Sequence, residues 1–280
     1  MVRELIVVAD DLGASPGTNR GVLRAHRDGI VTAASLLVGM PTSKGAVCGA
    51  REQGLPLGLH LRLSAGQPLS DAPRQVGLAD ADGFLALPRV ILRLIEGGDA
   101  LEAALRIELR AQMTAFVQMV PEPDHINSHH HLHLHPAVLG PFLDEAKFLG
   151  FPAIRWPVEP QRGGVGGSPV RWAEVAAFRL LARKGRSQLA ASGLSTSDHF
   201  RGLRLMAGSA SPAALCEVLE QLPEGCTELM CHPAEVDEEL REFSSGVDRR
   251  EGELAALTAP EVRETIESHG IRLRAFATEC

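Results

Sequence analysis

The stretch ELIVVADDLG, residues 4–13, sets the expectation for the whole chain. Its five apolar residues, Leu5–Ala9, form a run of strand length that ends directly in two carboxylates, Asp10 and Asp11. An uninterrupted apolar run of this length is typical of a strand that is buried on both faces of a parallel sheet. A turn separates the two acids from the next helical pattern, near Thr18, so neither acid is placed to cap that helix.

Outward from this stretch, short apolar runs alternate with longer segments of helical period. Such alternation predicts parallel βα units, and because no repeat or linker divides the chain we expect one α/β domain, 1–280, folded as a complete or distorted barrel. The predicted strands are Leu5–Ala9, Thr32–Val38, Leu57–Leu63, Ile126–Ser128, Ala153–Trp156, Glu228–Cys231 and Ile271–Ala277. The predicted helices are Thr18–Asp28, Ala100–Val120, Ala137–Leu149, Arg171–Ala191, Pro212–Leu222 and Pro260–His269. Residues 64–88 and 157–170 are predicted as long loops.

Composition excludes several classes of protein. The net charge is −7, from 28 Lys and Arg against 35 Asp and Glu, which gives no support to a basic nucleic-acid-binding surface. The longest run without a charged residue or histidine, 29–43, is shorter than the ~20 residues that a membrane helix needs, and the apolar run 5–9 is too short for a secretion signal. The 5 cysteines form no CxxC motif, so we expect reduced thiols and a cytoplasmic protein.

Polar residues stand at or near the ends of four predicted strands. Asp10 and Asp11 end the first strand, His60 lies within GLHL, His129 follows the strand near residue 128, and His232 follows ELMC. In barrel folds the chemistry lies where strands end and loops begin, and such a fold can join residues that are far apart in sequence. A single histidine such as His60 is more often a hydrogen-bonded core residue, so the argument depends on the whole set.

The segment NSHHHLHLHP, 127–136, is the densest cluster of histidines in the chain. Four of them alternate, so an extended backbone would point them to one side. Neutral imidazole is the commonest metal ligand. A solvated loop is the alternative interpretation. The alternating residues are His129, His131, His133 and His135.

These residue types indicate metal-assisted hydrolysis. Asp11, His60 and His129 would hold one divalent ion, zinc or else magnesium or another divalent metal. The ion would activate a water, the adjacent carboxylate of Asp10 would take a proton, and His232 would protonate a leaving amine. The sequence contains no GxSxG motif, which excludes the nucleophile elbow of an α/β-hydrolase.

Other residues are candidates for contacts with a substrate. Arg155 and Trp156, at another strand end, could bond and stack on a sugar, or form a salt bridge and pack at the rim. His131 is a further candidate. The glycine pairs at 163–164 and 166–167 favour a flexible lid over a phosphate loop, because no Lys-Ser/Thr follows them.

Four motifs resemble the YdjC/ChbG-like carbohydrate deacetylase family: ADDLG (9–13), GLHL (58–61), HINSHHHLHLHP (125–136) and MCHPAE (230–235). The segments LHPAVLGPFLDEAKFLGFPAIRWPVEP (134–160) and LTAPEVRETIESHGIRLRAFA (257–277) look closest to the hopanoid-associated HpnK branch. The resemblance implies a distorted TIM-like (β/α) barrel with fewer than eight regular strands, often dimeric, that removes the acetyl group from an N-acetylated amino sugar with a divalent metal. It also implies the roles given above for Asp10, Asp11, His60, His129 and His232. Asn127 stands where several relatives have Asp, which removes a possible carboxylate near the histidine cluster.

The substrate remains open between alternatives. The HpnK branch implies an N-acetylglucosaminyl group on a polycyclic lipid, with peripheral contact to a membrane and apolar loops at 64–88 and 157–170. A chito-oligosaccharide would need an aromatic groove, and 2 Trp, 9 Phe and no Tyr supply little for it. A metal-dependent phosphoesterase would use a second ion at His131 or His133. A metal-binding or lipid-handling module without activity is the fourth alternative.

Overall fold

The computed structural model describes residues 2–159, 169–203, 210–244 and 247–277. Within them, parallel strands form a curled sheet in the order β4-β3-β2-β1-β6-β5, and β7 pairs with β1. The strands are β1 Arg3–Leu12, β2 Ala33–Leu36, β3 Leu57–Leu61, β4 Ile126–Ser128, β5 His199–Arg201, β6 Gly225–Cys231 and β7 Ile271–Leu273. The sheet therefore joins residues from near both ends of the chain.

Helices follow most of the strands and cover the sheet. The helices are α1 Pro16–Arg27, α2 Ser43–Gln53, α3 Ala72–Gln75, α4 Leu87–Glu96, α5 Asp99–Met119, α6 Pro136–Phe148, α7 Pro169–Ser192, α8 Pro212–Glu220, α9 Glu238–Phe243, α10 Arg250–Leu257 and α11 Pro260–Ser268. The curled, half-open sheet confirms the predicted distorted barrel with fewer than eight regular strands. No helix among the described residues is long and apolar enough to cross a membrane.

The strand that the first motif predicts lies at the centre of the sheet. One edge of β1 pairs with β6 from Arg3 to Ala9, and its other edge is shared by β7 and β2. Leu5–Ala9 are almost fully buried, as expected for a strand covered on both faces. Hydrophobic burial around β1 therefore holds the two acids that end it in a fixed place.

Some predicted elements differ from the structure. Residues 153–156 form two isolated bridges, Ile126 with Ile154 and Ala153 with Ser195, instead of a strand. The region 64–88 contains α3 and the start of α4, so it is only partly a loop, and α2 was not predicted. Of the predicted loop 157–170, residues 160–168, with both glycine pairs, lie outside the described residues.

Candidate active site

A bulge at the end of β1 brings both acids to one place. Successive side chains of a regular strand point to opposite faces, yet the pairing of β1 with β2 is irregular between Ala9 and Leu12. Asp11 adopts a left-handed backbone with φ of 64°. Such a conformation is uncommon for a residue with a side chain and is typical of functional sites. The bulge explains how two consecutive carboxylates reach the same pocket.

Three predicted ligands form a compact triangle. The Nε2 atom of His60 lies 3.3 Å from Nδ1 of His129 and 3.3 Å from Oδ1 of Asp11. The third side, from Nδ1 of His129 to Oδ1 of Asp11, is 3.2 Å. All three residues are buried. The end of β1, the end of β3 and the residue after β4 thus supply one ligand each.

The chemistry of these atoms fits a divalent metal ion. Four ligands arranged tetrahedrally at ~2.0–2.1 Å from zinc lie about 3.3 Å from one another. Octahedral magnesium requires oxygen ligands about 3.0 Å apart. Oδ1 of Asp11 is buried without a hydrogen-bond partner among the described residues, although two ring nitrogens lie close to it. An ion shared by the three atoms would satisfy this oxygen.

Arg250, in α10, holds the other oxygen of Asp11. Its Nη2 donates a 2.7 Å hydrogen bond to Oδ2, and the guanidinium is 6% exposed. Burial alone would raise the pKa of Asp11, but Arg250 and His129 hold that pKa well below its usual range. Asp11 is therefore ionised, with one oxygen held by Arg250 and one oxygen facing the two histidines.

Negative charge concentrates beside His60. Burial alone would lower the pKa of His60, but the carboxylates of Asp10 and Asp11 raise that pKa. A field that favours a proton on this imidazole also favours any other cation in the same place. The site is therefore electrostatically suited to a metal ion that replaces the proton.

Asp10 is held apart from the triangle by Arg155. Nη1 of Arg155 donates to Oδ2 of Asp10, and Nη2 donates to Oδ1 at 2.9 Å. Nε of Arg155 donates to Oε1 of Glu228, in β6, at 2.5 Å. Burial would raise the pKa of Asp10, but Arg155, His60 and His232 hold it far below its usual range. Asp10 is a fixed, ionised carboxylate outside the triangle, with both of its oxygens held by Arg155.

His232 lies on the other side of Asp10. Its Nε2 is 3.9 Å from Oδ2 of Asp10, and its side chain is nearly buried. Burial lowers the pKa of His232 to about 4 despite the opposing effect of Asp11 and Asp10. The backbone N–H of His232 donates to Oε2 of Glu253 at 2.6 Å, which fixes the turn after β6. His232 is therefore a neutral imidazole at neutral pH, close enough to exchange a proton with Asp10 through a water or substrate atom.

The histidine cluster does not form the extended array that its alternation predicts. Residues 129–134 form a 3₁₀ segment in which His130 and His131 both have positive φ, 57° and 52°. Two consecutive left-handed residues curl the chain, so the alternating histidines do not line one side. Exposed His130 bonds to Ser64 Oγ at 2.7 Å, and His135 caps α6. His129 is the one member of the cluster that enters the triangle.

His133 is unavailable to a second metal ion. Its Nδ1 lies 2.8 Å from Oγ of Ser128, and its Nε2 lies 3.0 Å from the carbonyl oxygen of Arg155. Over the described part of the chain, a single group of potential metal ligands occurs. The two-metal phosphoesterase alternative therefore gains no support from this site.

The three residues predicted to contact a substrate lie in the interior. Arg155 is fully buried, and its guanidinium holds the carboxylates of Asp10 and Glu228. Trp156 is 8% exposed and belongs to the hydrophobic core. His131 is 6% exposed, with its ring against Phe178 at 5.1 Å between centroids. Of the two alternatives for Arg155, the structure contains the salt bridge, and the sugar contact stays a prediction.

Sequence reasoning missed three charged residues that complete the site. Glu228 is a charge inside an apolar strand, which is a detectable signal for a buried ion pair. Arg250 and Glu253 carry no such signal, because both lie in an ordinary charged helix, α10, that contacts the site only in the folded chain.

The protein is expected to lose stability as the pH falls below about 6.5, well before its carboxylates are protonated. Burial lowers the pKa of His133 to about 3 and that of His232 to about 4, whereas both titrate near 6.5 in an unfolded chain. Below pH ~6.5 the unfolded state binds more protons, so the free energy of unfolding falls by ~1.4 kcal/mol per pH unit for each histidine. Urea unfolding of chelator-treated protein at pH 7, 5.5 and 4.5 should show a loss on the order of 5 kcal/mol. His133→Gln should remove the contribution of one histidine, ~1.4 kcal/mol per pH unit; a pH-independent stability would contradict this assignment.

Fold and site together define a class of protein, a parallel α/β barrel with a buried Asp-His-His cluster and a separate carboxylate at the carboxyl ends of its strands. The chain belongs to the YdjC-like protein family, whose model matches residues 4–268. It is 35% identical to a carbohydrate deacetylase of Brevibacillus brevis over 98% of both chains. It is 32% identical to the human carbohydrate deacetylase over 97% of this chain and 90% of that one.

A solved structure shares the whole fold. A protein of Enterococcus faecalis V583, provisionally named for cellobiose-phosphate cleavage, superposes with a TM-score of 0.78. The two are 26% identical, and the match covers 99% of this chain and 98% of that one. The curled parallel sheet is therefore the architecture of a known structure.

Proposed function

We propose that this protein is a metal-dependent amidohydrolase that removes the acetyl group from an N-acetylated amino sugar. The observation that carries the proposal is the triangle of Asp11, His60 and His129 beside the separate carboxylate of Asp10. The name carbohydrate deacetylase, which the relatives at 35% and 32% identity carry, supports the same reaction. Two nitrogen ligands and one carboxylate favour zinc over magnesium.

The roles of the residues follow from their positions. A divalent ion held by the triangle would lower the pKa of a water and polarise the acetamide carbonyl. Asp10 takes a proton from the water as the water oxygen attacks the carbonyl carbon of the acetamide. Arg155 keeps the carboxylate of Asp10 in place. The proton can pass to His232, which is neutral beforehand, and then to the amine nitrogen as the C–N bond breaks. Acetate and a free amino sugar are the products.

A lipid-linked acetamido sugar is the substrate that we favour. The segments that look closest to the HpnK branch suggest it. The segment after Ser64, which bonds to His130 beside the triangle, also carries exposed apolar side chains. Leu69 is 37% exposed and Phe84 is 45% exposed. Such a surface suits an apolar aglycone better than a bare sugar chain. The dimer implied by the family resemblance stays a prediction.

Acetate release decides the reaction and its substrate. Zinc-loaded protein should release acetate and a free amine in equal amounts from an N-acetylglucosaminyl lipid, and more slowly from diacetylchitobiose. Enzymatic acetate detection and an amine-reactive dye measure both products. Faster turnover of diacetylchitobiose would overturn the lipid assignment. No acetate from any acetamido sugar, with metal bound, would overturn the proposed activity.

A further inference from the structure

A chain of four hydrogen bonds runs through the sheet to His60, one corner of the triangle. Oδ2 of Asp124 lies 2.8 Å from Nδ1 of His125, and Nε2 of His125 lies 2.8 Å from Oγ of Ser35. Ser35 Oγ lies 2.8 Å from Nδ2 of Asn127, whose Oδ1 lies 2.6 Å from Nδ1 of His60. All five residues are at most 2% exposed. We call Asp124, His125, Ser35 and Asn127 the relay.

The far end of the relay is a fixed acceptor. Burial alone would raise the pKa of Asp124, but hydrogen bonds from His125 and from the backbone near Ala277 lower it. The other oxygen, Oδ1, accepts from the N–H of Ala277 at 2.8 Å. The ring of His125 is confined by Gly58, where a Cβ would lie 2.5 Å from it, and by Phe276 at 5.1 Å. An ionised carboxylate can only accept, so Nδ1 of His125 must donate to it.

The direction of each hydrogen bond then determines the next. The relay requires His125 to be a neutral imidazole, which donates from Nδ1 and accepts at Nε2, so that the hydroxyl of Ser35 donates to His125. The lone pairs of Ser35 accept from Nδ2 of Asn127, which turns Oδ1 toward His60. Nδ1–H of His60 donates to Oδ1, and the lone pair of Nε2 is left facing the triangle.

The amide of Asn127 has a second orientation with partners of its own. With O and N exchanged, Nδ2 would donate to Nδ1 of His60 at 2.6 Å and to the carbonyl of Leu59 at 3.2 Å, and Oδ1 would accept from Ser35 Oγ at 2.8 Å and from Arg155 at 3.1 Å. The proton of His60 would then sit on Nε2 and close it to a metal ion. In the first orientation Oδ1 faces the Leu59 carbonyl and Nδ2 faces the guanidinium of Arg155, and neither contact is a hydrogen bond. The contacts with Leu59 and Arg155 favour the exchanged orientation, so the first orientation requires Ser35 Oγ to accept from Nδ2 instead of donating to the amide.

We propose that the relay selects the orientation of the Asn127 amide that leaves Nε2 of His60 free to bind a metal ion. Asp124, His125 and Ser35 are therefore positioning residues that act through Asn127 and contact neither the metal site nor a substrate. Outer partners of metal-ligating histidines fix the tautomer in this way in other metal sites. The proposal rests on the metal site of the proposed function, and the experiments below separate the two.

The first test is Asp124→Asn, an isosteric change four hydrogen bonds from His60. The N–H of Ala277 keeps the amide oxygen of the variant opposite it, so the new NH2 group faces Nδ1 of His125 and reverses its tautomer. Every later donor and acceptor reverses with it. Zinc affinity, measured by competition with a chromophoric chelator, should fall roughly 10–100-fold. Histidine ¹⁵N NMR should show the proton of His60 moving from Nδ1 to Nε2 before zinc is added.

The second test is a double-mutant cycle with Ser35→Ala, which interrupts the relay. Ser35→Ala alone should weaken zinc binding, and Asp124→Asn should add nothing in that background. A loss of negative charge acting through space would instead weaken binding in both backgrounds. Asp144→Asn, on the exposed face of α6, is the control with the same change in charge.

The outcomes are distinct. Unchanged zinc affinity in Asp124→Asn with an unchanged His60 tautomer overturns the relay, and so does an additive cycle. If Asp124→Asn does not fold, Ser35→Ala with unchanged affinity and tautomer overturns it alone. Wild-type protein that binds no zinc at the triangle overturns the proposed function instead.

Discussion

Asp10→Asn should reduce turnover by roughly 10²–10⁴-fold and leave the bound metal in place. That range is what a positioned general base contributes. Asp10 lies outside the triangle of donor atoms, so its neutralisation removes no ligand. An amide cannot accept the proton of the attacking water, whereas its oxygen can still accept from Arg155. The measurements are kcat by acetate release and the zinc content of the purified variant.

Two features of Asp10→Asn separate a catalytic role from a structural one. The NH2 group of the variant faces a guanidinium donor, which is expected to cost about 1–3 kcal/mol of stability. A thermal melt will show whether the protein is folded at the assay temperature. Asp144→Asn removes an exposed carboxylate paired with Arg106 and should leave kcat unchanged. Turnover of Asp10→Asn within tenfold of wild type would remove Asp10 from the mechanism.

The convergence of the site could be predicted because it depends on topology. Parallel strands that share a sheet place their carboxyl ends together, so polar residues at those ends must be neighbours. Asp11, His60 and His129 come from β1, β3 and the end of β4, and the sheet joins these strands through β2. Short apolar runs and their polar ends were sufficient to identify this arrangement without knowledge of distances.

The direction of individual side chains could not be predicted in the same way. Alternation in the histidine cluster assumes an extended backbone, and positive φ at His130 and His131 removes that assumption. The bulge at Asp11 breaks alternation in the opposite sense, because it brings adjacent acids together. None of these three positions holds glycine, the residue type that would mark a left-handed backbone most clearly.

Buried charges were the other limit of sequence reasoning. For Arg155, at a predicted strand end, the sequence leaves a sugar contact and a strand-end salt bridge open. Its partners, Asp10 and Glu228, lie 145 and 73 positions away, and only the folded sheet joins the three. Each charge offsets the cost of burying the others, so a local pattern that marks one of them does not identify its partners.

His129→Ala should abolish metal binding at the triangle, whereas His130→Ala should leave it nearly unchanged. The two histidines are adjacent, and their rings lie 4.0 Å apart, so the pair is a matched comparison within one segment. His129 supplies Nδ1 to the triangle, while His130 is exposed and bonded to Ser64. Loss of a direct ligand should exceed the ~10–100-fold effect that outer partners have on metal affinity.

Zinc or cobalt titration of both variants, together with acetate release, checks this comparison. In the wild type, the d–d absorption of bound cobalt should report tetrahedral coordination, and His129→Ala should remove that band. His60→Ala should reproduce the loss, since its Nε2 lies 3.3 Å from both other ligand atoms. Equal losses in His129→Ala and His130→Ala would mean that the curled segment as a whole, and not one nitrogen, determines metal binding. Unaltered metal affinity in His129→Ala would mean that the metal binds elsewhere, and it would contradict the role of Asp10 as the base beside the triangle.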